Sequence, residues 1–271
     1  MSKEIRIHPL SWSSLKIDMY LDDAYVACGT CFIKRDAKGE NFIITNWHNV
    51  TGHHPEKKTP LSESGVIPNN IRIAVHSAER SGKWMQMTVS LYDEENGLPI
   101  WYEHPVHKSK VDVIAIPIEE HESITLYAID DFHFDEIYKP GIAEDVFIMG
   151  FPRGITSMGN FPIWKRGSIA TDLGLDIDGL PKLLIDSATR EGLSGSPVIA
   201  KHSGIVLDEP GKVGPNSIIG TVFQFLGVYS GRIMGKDELE SQLGIVWKKS
   251  VIKDILEARE LGEFKPPLYD A

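Results

Sequence analysis

Runs, mostly of four to eight residues, rich in apolar, β-branched and aromatic side chains and separated by clusters of Gly, Pro, Asn and Asp, recur along nearly the whole chain, and this punctuation limits the fold more than any other feature. The runs fall at 25–33, 41–45, 71–75, 85–91, 112–116, 145–149, 162–170, 183–186, 198–200, 217–223 and 225–230. Strands of that length and spacing predict an all-β barrel or sandwich. No internal repeat is visible. The polar stretch 51–70, with Gly52, Pro55, Pro60 and Pro68, reads as a long surface loop, and the acidic, aromatic stretch 121–140 reads as a linker between two halves. Only the end is helical in pattern. Over 249–261 the apolar residues Val251, Ile252, Ile255, Leu256 and Leu261 recur at helical spacing, Gly262 supplies a stop and Pro266-Pro267 forbids continuation. That helix is expected to pack on the barrel, and residues 264–271 to form a loose tail.

With 271 residues, 42% hydrophobic and 24% charged, the chain is a globular protein with room for one large domain or two small cores. A formal charge of −10 argues against a nucleic-acid partner, whose phosphates require clustered Lys and Arg, and leaves a protein or peptide partner as the natural one. The first ten residues hold no apolar core of signal-peptide length, and no segment is long and apolar enough to span a bilayer. A cytoplasmic protein without membrane association is expected. Cys28 and Cys31 form a C-x-x-C, but inside a β-rich run residues three apart face opposite ways and cannot easily bond. With no second pair of cysteines, neither a metal site nor a cofactor is expected.

Three segments carry chemistry, in the order Thr45-Asn46-Trp47-His48-Asn49-Val50, Val111-Asp112-Val113-Ile114-Ala115-Ile116 and Gly192-Leu193-Ser194-Gly195-Ser196-Pro197-Val198. A serine hydroxyl is a poor nucleophile unless an imidazole takes its proton and a carboxylate holds that imidazole in the right tautomer. His48 sits where an apolar run ends, Asp112 where another begins, and Ser194 in a loop whose glycines allow successive N–H groups to converge on an oxyanion. Gly192 and Ser194 are the expected donors. Each residue alone has an ordinary structural reading. In the order His, Asp, Ser at barrel-length separations they read as a catalytic triad.

These segments resemble the trypsin-like (chymotrypsin-fold) serine peptidases, and in particular the bacterial and cytoplasmic branch that includes the HtrA-type proteases. The resemblance runs from about Ala24 to Leu256 and includes Gly29-Thr30-Cys31-Phe32 before the His segment and Val146-Phe147-Ile148-Met149-Gly150-Phe151-Pro152 opening the second half. It implies a single peptidase domain over 1–271, built from two six-stranded antiparallel β-barrels, the first at 16–125 with His48 and Asp112, the second at 140–235 with Ser194, followed by the C-terminal helix at 249–261. It further implies that Ser194 attacks the scissile carbonyl, that His48 is base and then acid, and that Asp112 orients the imidazole. The strand 226–231 is similar to the one that pairs with extended substrate, which makes Tyr229, Ser230 and Gly231 substrate-binding and offers Ser230 to Asp112 as a further partner; 219–222 is a competing match.

Departures from secreted relatives carry information too. Asn49 stands where those enzymes place a disulfide cysteine, in keeping with a reducing compartment. Leu193 replaces the aspartate that pairs with a newly cut N-terminus, so activity is either constitutive or controlled by a partner that orders the oxyanion loop. By the resemblance Ala188 and Thr189 line the primary pocket, which then lacks a carboxylate for Lys or Arg and suits a small or medium aliphatic side chain; Arg190 and Glu191 either rim that pocket or are solvated. A catalytically silent binding module of the same fold is the main alternative. An α/β-hydrolase is disfavoured, because it needs Gly at 196, where Ser196 stands, and an Asp then a His after Ser194; His202 is the only later His, and no Asp lies between Ser194 and it.

Overall fold

The alternation of Leu15, Ile17 and Met19, all buried, with Lys16 and Asp18, paired to each other on the outside, makes the first strand β1 (Ser14–Leu21). Asp22, with φ of 54°, turns it into β2 (Ala24–Arg35). These belong to a computed structural model of the chain that describes residues 6–79, 82–188, 190–209, 211–232 and 242–266. After β2 come β3 (Asn41–Thr45), the one-turn helix α1 (Trp47–Thr51), β4 (Asn70–Ser77), β5 (Trp84–Ser90), β6 (Tyr102–Glu103), β7 (Ile114–Ile118) and β8 (Ile124–Thr125). The second half holds β9 (Asp145–Gly150), β10 (Ile163–Ile169), β11 (Lys182–Asp186), β12 (Pro197–Val206), β13 (Ile218–Arg232) and β14 (Leu243–Lys248). The helix α2 (Lys249–Ala258) and the short strand β15 (Glu260–Leu261) complete it.

The architecture is all-β in two halves with a C-terminal helix, as expected. In the second half six strands close into a barrel in the order β10-β11-β14-β13-β12-β9. The barrel takes in β14, so it extends past residue 235 to Lys248; residues 233–235 lie outside the described ones. The first half has nine strands instead of six, in the path β15-β6-β7-β3-β2-β1-β4-β5 with β8 on β4. The excess is explained by three two-residue strands, β6, β8 and β15, which extend the sheet at its margins. Each half wraps its own apolar cluster, one around Ile17, Ile33, Ile43 and Ile73, the other around Ile148, Ile185, Val198 and Val246. A third cluster lies between them and under α2, joining Phe32, Phe42 and Val113 to Val228, Trp247, Val251 and Ile255.

Several elements differ from expectation for identifiable reasons. The two runs 217–223 and 225–230 are one strand, β13, kept continuous by Gly227, where a Cβ would lie 1.7 Å from the Trp247 carbonyl oxygen. The stretch 121–140 joins the halves while packed on both: Leu126 and Ala128 are buried in the first, Tyr138 in the second, and Arg35 pairs with Asp131 at 2.6 Å. The helix stops at Ala258 instead of 261, because Arg259 takes a left-handed φ of 51° and its guanidinium is held by Asp36 and Glu40. Leu261 therefore pairs with Tyr102 in β15. Gly262 serves close packing, a Cβ there falling 2.5 Å from Trp101 Nε1. The long loop after α1 is as expected, and of the tail residues 267–271 lie outside the described ones. No helix among the described residues is long and apolar enough to cross a membrane.

Candidate active site

β3 ends at Thr45 and the chain turns at once into α1, which presents His48 between the halves. Asn46, just before the helix, donates from Nδ2 to the Asp112 carbonyl at 2.6 Å, tying the His segment to the residues that open β7. Gly52 closes α1 with φ of 66°, its N–H on the His48 carbonyl at 2.9 Å. Asp112 is 1% exposed and accepts three hydrogen bonds: from the His48 N–H at 2.9 Å, from His48 Nδ1 at 2.6 Å and from the Ser230 hydroxyl at 2.5 Å. A carboxylate out of water needs this number of donors, and the pattern puts a proton on Nδ1 and leaves Nε2 as the basic nitrogen facing away. The Ser230 hydroxyl thus makes the contact with Asp112 that the sequence offered. The competing stretch 219–222 lies at the far end of β13 against Ser203 and Gly204, with Ile219 exposed.

Ser194 reaches the same place from the second barrel. Its hydroxyl donates to the Ser230 carbonyl at 3.4 Å, and among the described residues no hydrogen bond joins it to His48. Such contacts are often long until substrate is bound. The loop that carries Ser194 is held mainly through its backbone. Thr30 donates from Oγ1 to the Gly192 carbonyl at 2.8 Å and from its N–H to the Ser194 carbonyl at 2.9 Å, while Asn49 Nδ2 reaches that second oxygen at 3.1 Å. Beneath the loop Leu193 is 1% exposed, packed into the barrel core. The Gly195 N–H donates to the Tyr229 carbonyl at 2.8 Å.

The Glu191 carbonyl accepts from the Arg153 N–H at 2.7 Å, within a turn at Pro152–Gly154 where Arg153 and Gly154 have φ of 51° and 70°. A trans peptide points its C=O and N–H in opposite directions, so this bond turns the Gly192 N–H away from that turn. Gly192 has φ of 88° and a Cβ there would lie 2.3 Å from the Phe151 carbonyl oxygen, so the conformation excludes every other residue. No hydrogen bond within the described residues takes up the N–H of Gly192 or of Ser194.

The remaining expected residues surround this centre. Ala188 is half-buried on the loop leaving β11, and Thr189 lies outside the described residues. Tyr229 is 2% exposed, its ring beside Ile185 and against Gly244, where a Cβ would come within 2.7 Å of it. Gly231 pairs with Ile245 at the bulge that follows. Glu191 and Arg190 are both exposed. Cys28 and Cys31 are free thiols, the second buried in the first core, where desolvation pushes its thiol up. Sequence reasoning passed over Thr30 and the positive role of Asn49; the crowding of Gly29, where a Cβ would meet Asn49 Nδ2 at 2.8 Å, marks how close those strands come.

No protein-family profile matches the sequence, and no curated protein matches it. Among solved structures the chain is similar to the HtrA-type protease AlgW bound to a tripeptide, with a TM-score of 0.53 over 92% of this chain at 12% identity. It spans 60% of the length of that protein. It also aligns with two inactive forms of Rv3671c, a serine-to-alanine mutant from M. tuberculosis H37Rv at TM-score 0.48, 18% identity, 92% of this chain and 87% of that one, and the Rv3671c protease at 0.46, 20%, 92% and 89%. The likeness to AlgW concerns the fold: this chain has the two-halved, all-β architecture of a trypsin-like protease.

Proposed function

We propose that the chain is a serine endopeptidase that cleaves peptide bonds through an acyl-enzyme on Ser194. The observation that carries this reading is the Asp112 carboxylate, buried and bonded at 2.6 Å to His48 Nδ1, at the cleft where Ser194 presents its hydroxyl. Ser194 Oγ attacks the scissile carbonyl and His48 Nε2 takes its proton, then delivers it to the departing amine. Asp112 holds the tautomer and stabilises the imidazolium, with Ser230 sharing the carboxylate. The negative oxygen of the tetrahedral intermediate is met by the N–H groups of Gly192 and Ser194. The buried side chain of Leu193 and the Arg153–Glu191 bond support an oxyanion loop that is competent without an activating partner.

The substrate is a protein or peptide laid in extended form along Tyr229, Ser230 and Gly231. The absence of an acidic side chain at Ala188, together with the Tyr229 ring in the space behind that loop, supports cleavage after small or medium aliphatic residues. Two free thiols support a reducing, cytoplasmic setting.

Steady-state hydrolysis of peptide substrates tests this. Ser194→Ala and His48→Ala are expected to lose several orders of magnitude in kcat, and Asp112→Asn about 10⁴, through loss of the correct tautomer. Undiminished turnover in Ser194→Ala would sink the reading, and no turnover by the unmodified chain would favour the silent binding module.

A further inference from the structure

We propose that the chain selects its substrates on the leaving-group side of the scissile bond, where a cavity beside Ser194 receives a large apolar side chain; the inference rests on the reading of Ser194 as nucleophile. The cavity has a volume of about 570 Å³ and reaches His48, Gly192 and Ser194, but no residue of β13 lines it. Since the acyl half of a substrate runs along β13 at Ser230 and Gly231, the half that leaves Ser194 in the other direction enters this cavity. That volume lies within the range of specific ligand sites and holds one bulky side chain together with its backbone.

Its outer walls are mostly apolar, with Asn49 and Ser62 as uncharged polar members. Met19 comes from β1, Val26 and Ala27 from β2, and Leu61, Val66 and Pro68 from the loop after α1. Charge is confined to Arg153 and Glu191, exposed at the rim. Leu61 is 55% exposed and Tyr25, at the mouth, 58%, so an apolar occupant removes from water surface that the free protein leaves wet.

The wall is also held ready. The Leu61 N–H donates to the Gly52 carbonyl at 2.8 Å, and Gly52 is the residue whose own N–H closes the helix of His48. At its other end the loop is fixed to β1 by the Asn69 N–H on the Tyr20 carbonyl at 2.8 Å. The loop therefore places Leu61 relative to His48 before substrate arrives, and little ordering is required on binding. On the acyl side, by contrast, the Tyr229 ring occupies space, which leaves the leaving-group side as the one able to read a large residue.

Partitioning of the acyl-enzyme tests the inference on the full chain. Acylating Ser194 with a small p-nitrophenyl ester releases nitrophenol, and added amino-acid amides then compete with water for the acyl group. The α-amino nitrogen attacks the ester carbonyl, the C–N bond forms as the C–Oγ bond breaks, and His48 carries the proton from nitrogen to Oγ. Leucinamide and phenylalaninamide are expected to capture the acyl group about tenfold to a hundredfold better than glycinamide. Leu61→Asp is expected to erase most of that ratio. Equal capture of glycinamide and leucinamide by the unmodified protein, or preference for an aspartyl or lysyl amide, overturns the inference while leaving the acyl-enzyme intact. Absence of any Ser194-dependent nitrophenol release overturns the acyl-enzyme itself, so the two failures are distinguishable.

Discussion

Gly192 is the residue on which the proposed oxyanion site depends most directly. Its φ of 88° and the 2.3 Å approach of a would-be Cβ to the Phe151 carbonyl oxygen leave a side chain no place, so Gly192→Ala must turn the peptide or push the loop from the 152–154 turn. Either movement removes a donor from the oxyanion. Loss of one such donor lowers kcat by about 10²–10³, and we expect that fall together with a lower unfolding midpoint from the strained backbone, read by turnover and thermal melting side by side. Gly192, His48, Asp112 and Ser194, the residues of the proposed site, could be named from the sequence because the proposed chemistry demands those residue types. Thr30 and Asn49 were not. They act on main-chain oxygens, Thr30 on one 162 residues away, and a hydroxyl or amide that serves the backbone leaves no mark in the sequence of its partner. Tyr229 was legible as a strand position, whereas the direction of its ring follows from the bulge between Tyr229 and Gly231.

Among the elements, α2 couples the halves. Val251, Ile252, Ile255 and Leu256 form a buried stripe on the cluster that includes Phe42 and Val113 from the first half and Val228 and Trp247 from the second. Ile255→Ala leaves a cavity at that junction and is expected to cost about 2–5 kcal/mol of stability, measured by urea unfolding. A cost below about 1 kcal/mol would mean that α2 rests on the surface without holding it. The stripe made this helix readable, but its end was not, since Arg259 stops it through Asp36 and Glu40, some 220 residues earlier in the chain. β1 escaped notice for the opposite reason: it alternates Leu15, Ile17 and Met19 with Lys16, Asp18 and Tyr20 and so contains no continuous apolar run. The two-residue strands β6, β8 and β15 are too short for any periodicity, which is why the strand count of the first half could not be read.

At the scale of the whole molecule, a cluster of rings joins the halves around His76. The imidazole is 3% exposed, donates from Nε2 to the Trp12 carbonyl at 3.1 Å, and packs among Trp12, Trp84 and Tyr127 of the first half and Phe161 of the second. Burial lowers its pKa to about 4, against the smaller upward effect of the Trp12 carbonyl. The unfolded chain therefore binds a proton that the folded one resists between about pH 6.5 and 4, and stability, whole above that window, falls as pH drops through it, by roughly 3 kcal/mol at the lower end. His76→Phe is expected to flatten the fall in melting temperature between pH 7 and pH 4.5; an unchanged slope would show that other groups carry the acid sensitivity. The two-halved fold was legible because short strands with turn punctuation admit few architectures. The packing of stretch 121–140 was not, since its acidic surface residues hide buried contacts at Leu126, Ala128 and Ile129.

The central claim, that His48 and Asp112 make Ser194 a nucleophile, is tested most directly by reacting the intact protein with a fluorophosphonate and locating the adduct by mass spectrometry. One adduct on Ser194, absent from Ser194→Ala and much slower to form in His48→Ala, is the expected result. No adduct on the folded wild-type chain, or equal labelling of Ser194→Ala, would contradict it.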